Sequence, residues 1–291
     1  MTNTPTKAKQ HGGYFLRRKL GKILLYIVLI IIALYTLMPI AFLVLNSFKG
    51  QAEIIRNPLA LPASFTLDYI KNAYEKINFG QAFGYTSMLL ICSLFFIVLF
   101  SALCAWMITR HKSKASSGIY LMFTAAMLIP FQAVMYPLMD IMDKLKLKNL
   151  GGLVVMYIGF GLSMSIFLFS SAFKSVPKSI EEAALIDGAN IFQVFFRVVF
   201  PLVSSTTVTV LILNGMWIWN DYLLPFITLG TSKSKTLVLE LYYARMLSGQ
   251  YGNPWELIFP AVLISVLPMV IVFLLLQKYF VKGVSEGAVK S

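Results

Sequence analysis

The sequence predicts an all-α, polytopic membrane protein with six apolar helices and a short polar helix between the fourth and the fifth. Its 291 residues are 58% hydrophobic and only 13% charged, with a mean hydropathy of +0.76, too little charge and too much apolar surface for a water-soluble domain. Six stretches, residues 23–45, 83–109, 119–139, 150–173, 198–220 and 257–277, contain no Asp, Glu, Lys or Arg. Each is close to the roughly 20 residues that cross a bilayer as a helix.

Residues 1–22 form a basic N-terminal segment, with Arg17, Arg18, Lys19 and Lys22 directly before the first span. That span exceeds the length of a signal-peptide core and has no small-residue cleavage pattern after it, so it is expected to stay as an anchor. Residues 46–82 contain Pro58 and Pro62 and little apolar periodicity, which predicts a loop with short helices on the outer bilayer surface. The next connection holds Arg110, Lys112 and Lys114; Lys174, Lys178 and Arg197 flank the polar helix; Lys278, Lys282 and Lys290 follow the last span. Most of the 25 Lys and Arg residues thus fall on the side of the two termini, which is assigned to the cytoplasm. Lys144, Lys146 and Lys148, between the third and fourth spans, run against that rule. A six-span domain over residues 23–281 and a cytoplasmic tail at 282–291 complete the division of the chain.

Within the spans, Pro39, Pro130, Pro137, Pro201, Pro260 and Pro268 predict broken or kinked helices. Gly152, Gly159, Gly161, Ser163 and Ser165 in the fourth predict close helix packing. The connection at about 223–256 is long, and its apolar and aromatic content argues against disorder and for a binding role.

The polar helix is expected at about 178–190. Ser179 and Glu182 have the spacing of a capping box, Ile180, Ala183, Ala184 and Asp187 share one narrow face suited to a close-fitting partner, and Gly188 supplies a stop. Asn190 and Gln193 can cap a second helix running into the fifth span.

Other chemistries find little support. Cys92 and Cys104 lie in one apolar run, as packing residues do; His11 and His111 are isolated, so neither a metal site nor a His-centred catalytic group emerges. The net charge of +13 is read as loop charge on a membrane protein, and nucleic acid is not an expected partner. No charge is buried in mid-span, where a proton- or ion-coupled transporter or a membrane enzyme working alone would keep one. Residues 230–236, Gly-Thr-Ser-Lys-Ser-Lys-Thr, lack the second glycine of a phosphate loop. Energy for transport would therefore come from a partner. The candidates for touching a small polar solute are Asn214, Trp217 and Asp221, an amide, an indole and a carboxylate at spacings of three and four near the outer end of the fifth span. Interfacial aromatics and packing asparagines are the structural alternative.

With these residues in place, the chain resembles the permease subunits of ATP-binding-cassette importers, in particular the MalG-like subunits for carbohydrates. Glu182-Ala183-Ala184, Gly188 and Pro201 follow the EAA signature, with Val198 and Phe200 where Ile and Leu are usual. Asn46-Ser47-Phe48-Lys49, Ile129-Pro130-Phe131-Gln132, residues 219–225 and the segments 277–283 and 287–290 extend the likeness along nearly the whole chain. The resemblance implies a carbohydrate importer subunit, an oligosaccharide being the expected cargo and an alditol, glycerol phosphate or other small polar solute the alternative. It implies a MalF-like second permease, two cytoplasmic ATPase subunits that hold the ATP and Mg, and an extracellular solute-binding protein. This chain would bind no cofactor and catalyse no reaction. Glu182, Ala183, Ala184, Asp187 and Gly188 would dock on an ATPase, with Glu182 facing a basic residue there. Leu241, Tyr242, Tyr243, Gly249 and Tyr251 would meet the binding protein, and 282–291 the ATPase pair. In the maltose system it is the MalF-like partner that holds the ligand.

Overall fold

A computed structural model describes the backbone of residues 8–246 and 252–288, with side chains from 19 to 246 and from 252 to 275. Among the described residues every regular element is helical: α1 (Ala8–Asn46), α2 (Gln51–Arg56), α3 (Asp68–Lys76), α4 (Phe79–Arg110), α5 (Lys114–Ala126), α6 (Phe131–Lys144), α7 (Leu150–Ser175), α8 (Lys178–Ile186), α9 (Ile191–Gln193), a π-helical turn (Val194–Val199), α10 (Phe200–Leu202), α11 (Ser204–Asn220), α12 (Leu223–Leu229), α13 (Leu237–Met246) and α14 (Trp255–Ala288).

Among the described residues, four helices, at Lys19–Asn46, Phe79–Arg110, Leu150–Ser175 and Trp255–Leu275, are long and apolar enough to span a bilayer unbroken. The expected third and fifth spans are instead bent pairs, α5 with α6 at 105° and Ile191–Leu202 with α11 at 77°. Counting each pair as one gives the six expected spans. The prolines divide accordingly. Pro130 is the N-cap of α6 at the first bend, and Pro201 lies between the π turn and the second bend at Val203. There the missing N–H and the ring's clash with the preceding turn are absorbed by local rewinding. Pro39, Pro137, Pro260 and Pro268, where broken or kinked helices are expected, lie inside continuous ones.

The chain comprises two compact units. In the first, Met1–Asn72 with Pro254–Leu263, Phe42 meets Phe259 edge-on at 5.5 Å, and Gln51 and Glu256 exchange backbone-to-side-chain hydrogen bonds at 3.0 and 3.3 Å. Lys49 is fully buried because its Nζ donates to Asn46 Oδ1 and to the carbonyls of Asn57 and Pro58. The segment after α1 thus holds the short helices α2 and α3, as expected, with an internally satisfied lysine at its root.

In the second unit, Ala73–Asn253 with Ile264–Ser291, α4 and α7 pack along their length. Ile97, Trp106, Tyr157, Phe169, Phe173 and Phe195 belong to its buried core. Gly161 permits α4 and α11 to approach α7 closely, since a Cβ there would lie 2.6 Å from Ile97 Cδ1 and 2.8 Å from Asn214 Oδ1. Gly161, with Ser165 accepting from Asn214, therefore serves packing in the fourth span, whereas a Cβ on Gly159 would meet no neighbour among the described residues. Among the described residues, the connection after α11 forms helices α12 and α13. Leu237 and Leu239 of α13 are fully buried, and the Leu237 N–H donates to Thr86 Oγ1 of α4 at 2.9 Å.

Candidate functional site

The polar helix forms as α8, but its first turn is not capped as the spacing suggested. Pro177 is the N-cap and no side chain accepts a hydrogen bond there, so the Ser179–Glu182 capping box is corrected. Pro177 already starts the helix, with its fixed φ and extended ψ of 134°. The C-terminus matches expectation in full. Gly188 stands at φ +84°, its N–H donates to Leu185, and the Ala189 N–H reaches Ala184, the paired bonds of a Schellman motif. Asn190 and Gln193 then form a reciprocal capping box, with both bonds at 2.9 Å.

The two glutamates of α8 have opposite fates. Glu182 is exposed, with Ala183 and Asp187, whereas Ala184 turns half inward with Glu181. Glu181 is 8% exposed. Its Oε1 accepts from Arg110 Nε at 2.6 Å and pairs with Nη2 at 2.5 Å, while Oε2 accepts from Trp106 Nε1 at 3.2 Å. Arg110 also donates to the carbonyls of Phe173 and Val176, each at 3.1 Å. One guanidinium therefore joins the end of α4, the end of α7 and the back of α8. Phe195 of the π turn packs on Trp106 at 5.2 Å and on Phe173 at 6.4 Å, which extends the same cluster into the fifth span. The reading of the sequence missed Glu181, because adjacent helical positions can both face water and nothing local marks Glu181 over Glu182 as the inward one; the available signal was Arg110, which ends a span on the same side.

The opposite face of α8 is open. Ile180, Leu185 and Ile186 are exposed, Ile186 at 86%, and Phe192 follows at 68%. Apolar side chains ringed by Glu182 and Asp187 are suited to a protein partner. Nothing lies within 4 Å of a Cβ built on Gly188, so only its backbone conformation demands glycine.

The end of α4, all of α7, the α8 turn and the fifth span lie inside the segment that matches a known family. Residues 97–286 match the family described as "Binding-protein-dependent transport system inner membrane component". The chain belongs to that family. It is 40% identical over 269 residues to the probable starch degradation products transport system permease protein AmyC of Thermoanaerobacterium thermosulfurigenes, covering 92% of this chain and 97% of that one. It is 33% identical to the multiple sugar-binding transport system permease protein MsmG of Streptococcus mutans, with 91% and 96% covered. In three dimensions it resembles a chain of a bacterial ABC transporter involved in the import of the acidic polysaccharide alginate, at a TM-score of 0.78 and 21% identity, with 96% and 100% covered. The multi-pass permease fold expected from the sequence is thereby established.

The three residues expected to touch a solute all face α7, where each is engaged. Asn214 is 4% exposed, and its Nδ2 donates to Ser165 Oγ at 3.0 Å and to the Val210 carbonyl at 2.9 Å. It is a packing residue in this conformation, not a lining one. Trp217 meets Tyr157 edge-on at 5.4 Å and keeps 39% exposure. Asp221 accepts from Tyr157 Oη at 3.0 Å and from the Leu223 N–H at 3.0 Å, starting α12. Burial pushes its carboxyl above the usual carboxylate range, although the Tyr157 hydroxyl and the N–H groups of Leu224 and Leu223 pull the other way. An apolar cavity of about 770 Å³ lies between the bent third span and α7, lined by Pro137, Met142, Met156, Gly159 and Phe160 among others; Asn214, Trp217 and Asp221 are not in its wall.

Of the residues assigned to the outer loop, Leu241, Tyr242 and Tyr243 lie half-buried on α13, where Tyr242 packs on Tyr222 at 4.7 Å and on Phe226 at 5.3 Å. Gly249 and Tyr251 lie outside the described residues, as do the side chains of 282–291. Among the described residues no cluster of His, Cys, Asp and Glu is placed to hold a metal ion.

Proposed function

We propose that this chain is one of two permease subunits of an ATP-driven, binding-protein-dependent carbohydrate importer, with an oligosaccharide as cargo, and that α8 receives the stroke of an ATPase. The observation that carries the reading is the two-sided build of α8. An open face of Glu182, Ala183, Asp187 and Ile186 backs onto a Glu181–Arg110 ion pair shared with two spans. A force on the open face reaches α4 and α7 through a charged, hydrogen-bonded link, and the fifth span through Phe195. Gly188 ends the lever so that the π turn can start at a fixed angle.

The α8 side and both termini are cytoplasmic, with ATP and Mg on two partner ATPases and a MalF-like second permease completing the path. Leu241, Tyr242 and Tyr243, with Gly249 and Tyr251 beyond them, meet the extracellular binding protein. Asp221 and Trp217 sit beside the solute's path, and Asn214 holds α11 against α7 behind them. The carbohydrate cargo is supported by the names of the relatives. An anionic cargo such as glycerol phosphate draws little support from the basic connection between the third and fourth spans, since Lys144 pairs with Asp140 at 2.6 Å and Lys148 with Asp143 at 3.0 Å.

Reconstitution with the ATPases and the binding protein tests this. Glu182→Lys and Gly188→Leu should abolish sugar-stimulated ATP hydrolysis while the chain still inserts in the membrane. Normal uptake by both variants, or transport by the chain alone in liposomes without an ATPase, would overturn the reading.

A further inference from the structure

A second concavity opens where α4 ends and α5 begins. It has a volume of about 700 Å³ and is walled by Lys112, Lys114, Ser117, Tyr120, Ser170 and Lys174, among residues of which none is acidic. Three independent features aim at an anion there. Three lysines line it, and the Nζ of Lys174 is held over the Tyr120 ring at 5.1 Å, which fixes one ammonium group at the wall. The first turn of α5, capped by Ser113 accepting from the Ser116 N–H at 3.1 Å, contributes the positive end of a 13-residue helix. Ser170 is fully buried, yet its Oγ has no hydrogen-bond partner. A buried hydroxyl without an acceptor is costly, so this one points to a group absent from the chain itself.

We propose that the cavity holds the phosphate of an anionic phospholipid of the inner leaflet. The shared chemistry is a phosphate ester, and two features select a lipid over a soluble phosphate. The cavity lies at the end of spans, at headgroup depth. The helix that forms its wall then exposes Ile119, Leu121 and Met122, at 42, 68 and 59%, around its circumference, an apolar surface suited to acyl chains. Basic pockets of this kind between spans, on the cytoplasmic side, suit such headgroups. The choice of leaflet rests on the orientation proposed above; binding itself does not. With Arg110 and Lys174 both near the end of the α4–α7 pair, a bound headgroup would sit beside the coupling helix and hold the bend-forming α5 against α7.

The test is native mass spectrometry of the full-length chain in detergent, offered equimolar phosphatidylglycerol and phosphatidylcholine. The wild type should retain phosphatidylglycerol preferentially. Lys112→Gln and Lys174→Gln should each weaken it about fivefold, equivalent to the ~1 kcal/mol of one lysine near an anionic headgroup, and Lys174→Arg should restore it. Lys144→Gln, at the other end of the bent span, should leave it unchanged. Equal retention of the two lipids by the wild type, or undiminished preference in the Lys112→Gln/Lys174→Gln double variant, would overturn the proposal. Displacement of the lipid by millimolar inorganic phosphate would reassign the cavity to a soluble anion and overturn it as well. No transport is needed, so this outcome stands apart from that of the importer reading.

Discussion

Replacing Glu181 by Gln keeps the shape of the side chain and removes the charge that holds α8 to α4 and α7. The carboxylate takes two contacts from Arg110, at 2.6 and 2.5 Å, and one from Trp106 at 3.2 Å, with the paired side chains only 14 and 10% exposed. Breaking a buried pair from one side costs about 3–5 kcal/mol. Here the guanidinium retains the carbonyls of Phe173 and Val176 and lies at a helix end near water, so the loss is set lower, at about 2–3 kcal/mol. Because α8 is a single nine-residue helix, the cost falls on its local attachment. Opening of α8 should therefore become about 30- to 150-fold more frequent. Hydrogen–deuterium exchange of peptides covering residues 178–189 reads this directly, with exposed Glu182→Gln as the control. An Arg110→Gln/Glu181→Gln cycle should return a coupling of about 2 kcal/mol. Equal protection of α8 in the two single-glutamate variants, or additivity of the cycle within about 0.5 kcal/mol, would refute the link.

Gly188→Ala should destabilise the α8–α9 turn by about 1–2 kcal/mol, because φ +84° strains any residue with a Cβ, and Gly188→Asn should cost less; exchange at residues 185–190 separates the two. In the core, Gly161→Val would drive side-chain atoms into Ile97 and Asn214 and should lower the melting temperature in detergent by an amount matching about 1–3 kcal/mol, whereas Gly159→Ala, with nothing within 4 Å, should be nearly neutral. Asp221 supplies a pH test. Its carboxyl is raised by burial, so its contribution to stability is fullest below the ordinary carboxylate range and is lost as pH rises through its raised value. The wild type should thus gain thermal stability relative to Asp221→Asn as pH falls from 8 towards 4, and a difference that does not change with pH would count against the shift.

Much of the fold was legible because the bilayer imposes a simple rule. A segment without charges and about 20 residues long has nowhere else to go, and Arg110, Lys174 and Asp221 mark where such segments stop. Local chemistry was often legible where partners are close in sequence: Gly188 required a left-handed stop and Asn190 with Gln193 a capping box, and both formed, whereas Pro177 started α8 in place of the Ser179–Glu182 box. The prolines were less legible. Pro130 and Pro201 sit at bends while Pro39, Pro260 and Pro268 do not, since a lost helical bond breaks a span only where the surrounding packing favours a new direction.

The candidate site divides along the same line. Periodicity placed Glu182, Ala183 and Asp187 on a solvent-facing helix, and it placed Asn214, Trp217 and Asp221 on one face without saying what that face would meet. By itself the sequence determined the membrane class, the spans, the polar helix α8 and its C-terminal stop, all of which depend on neighbours in the chain or on the bilayer as solvent. Only the tertiary structure decided that Glu181 rather than Glu182 turns inward to Arg110, 71 residues away, that the solute-type face packs on α7, and that Ser170 is left without a partner beside three lysines. Those outcomes depend on which helices become neighbours, and a one-dimensional pattern of polarity carries no record of pairing across such distances.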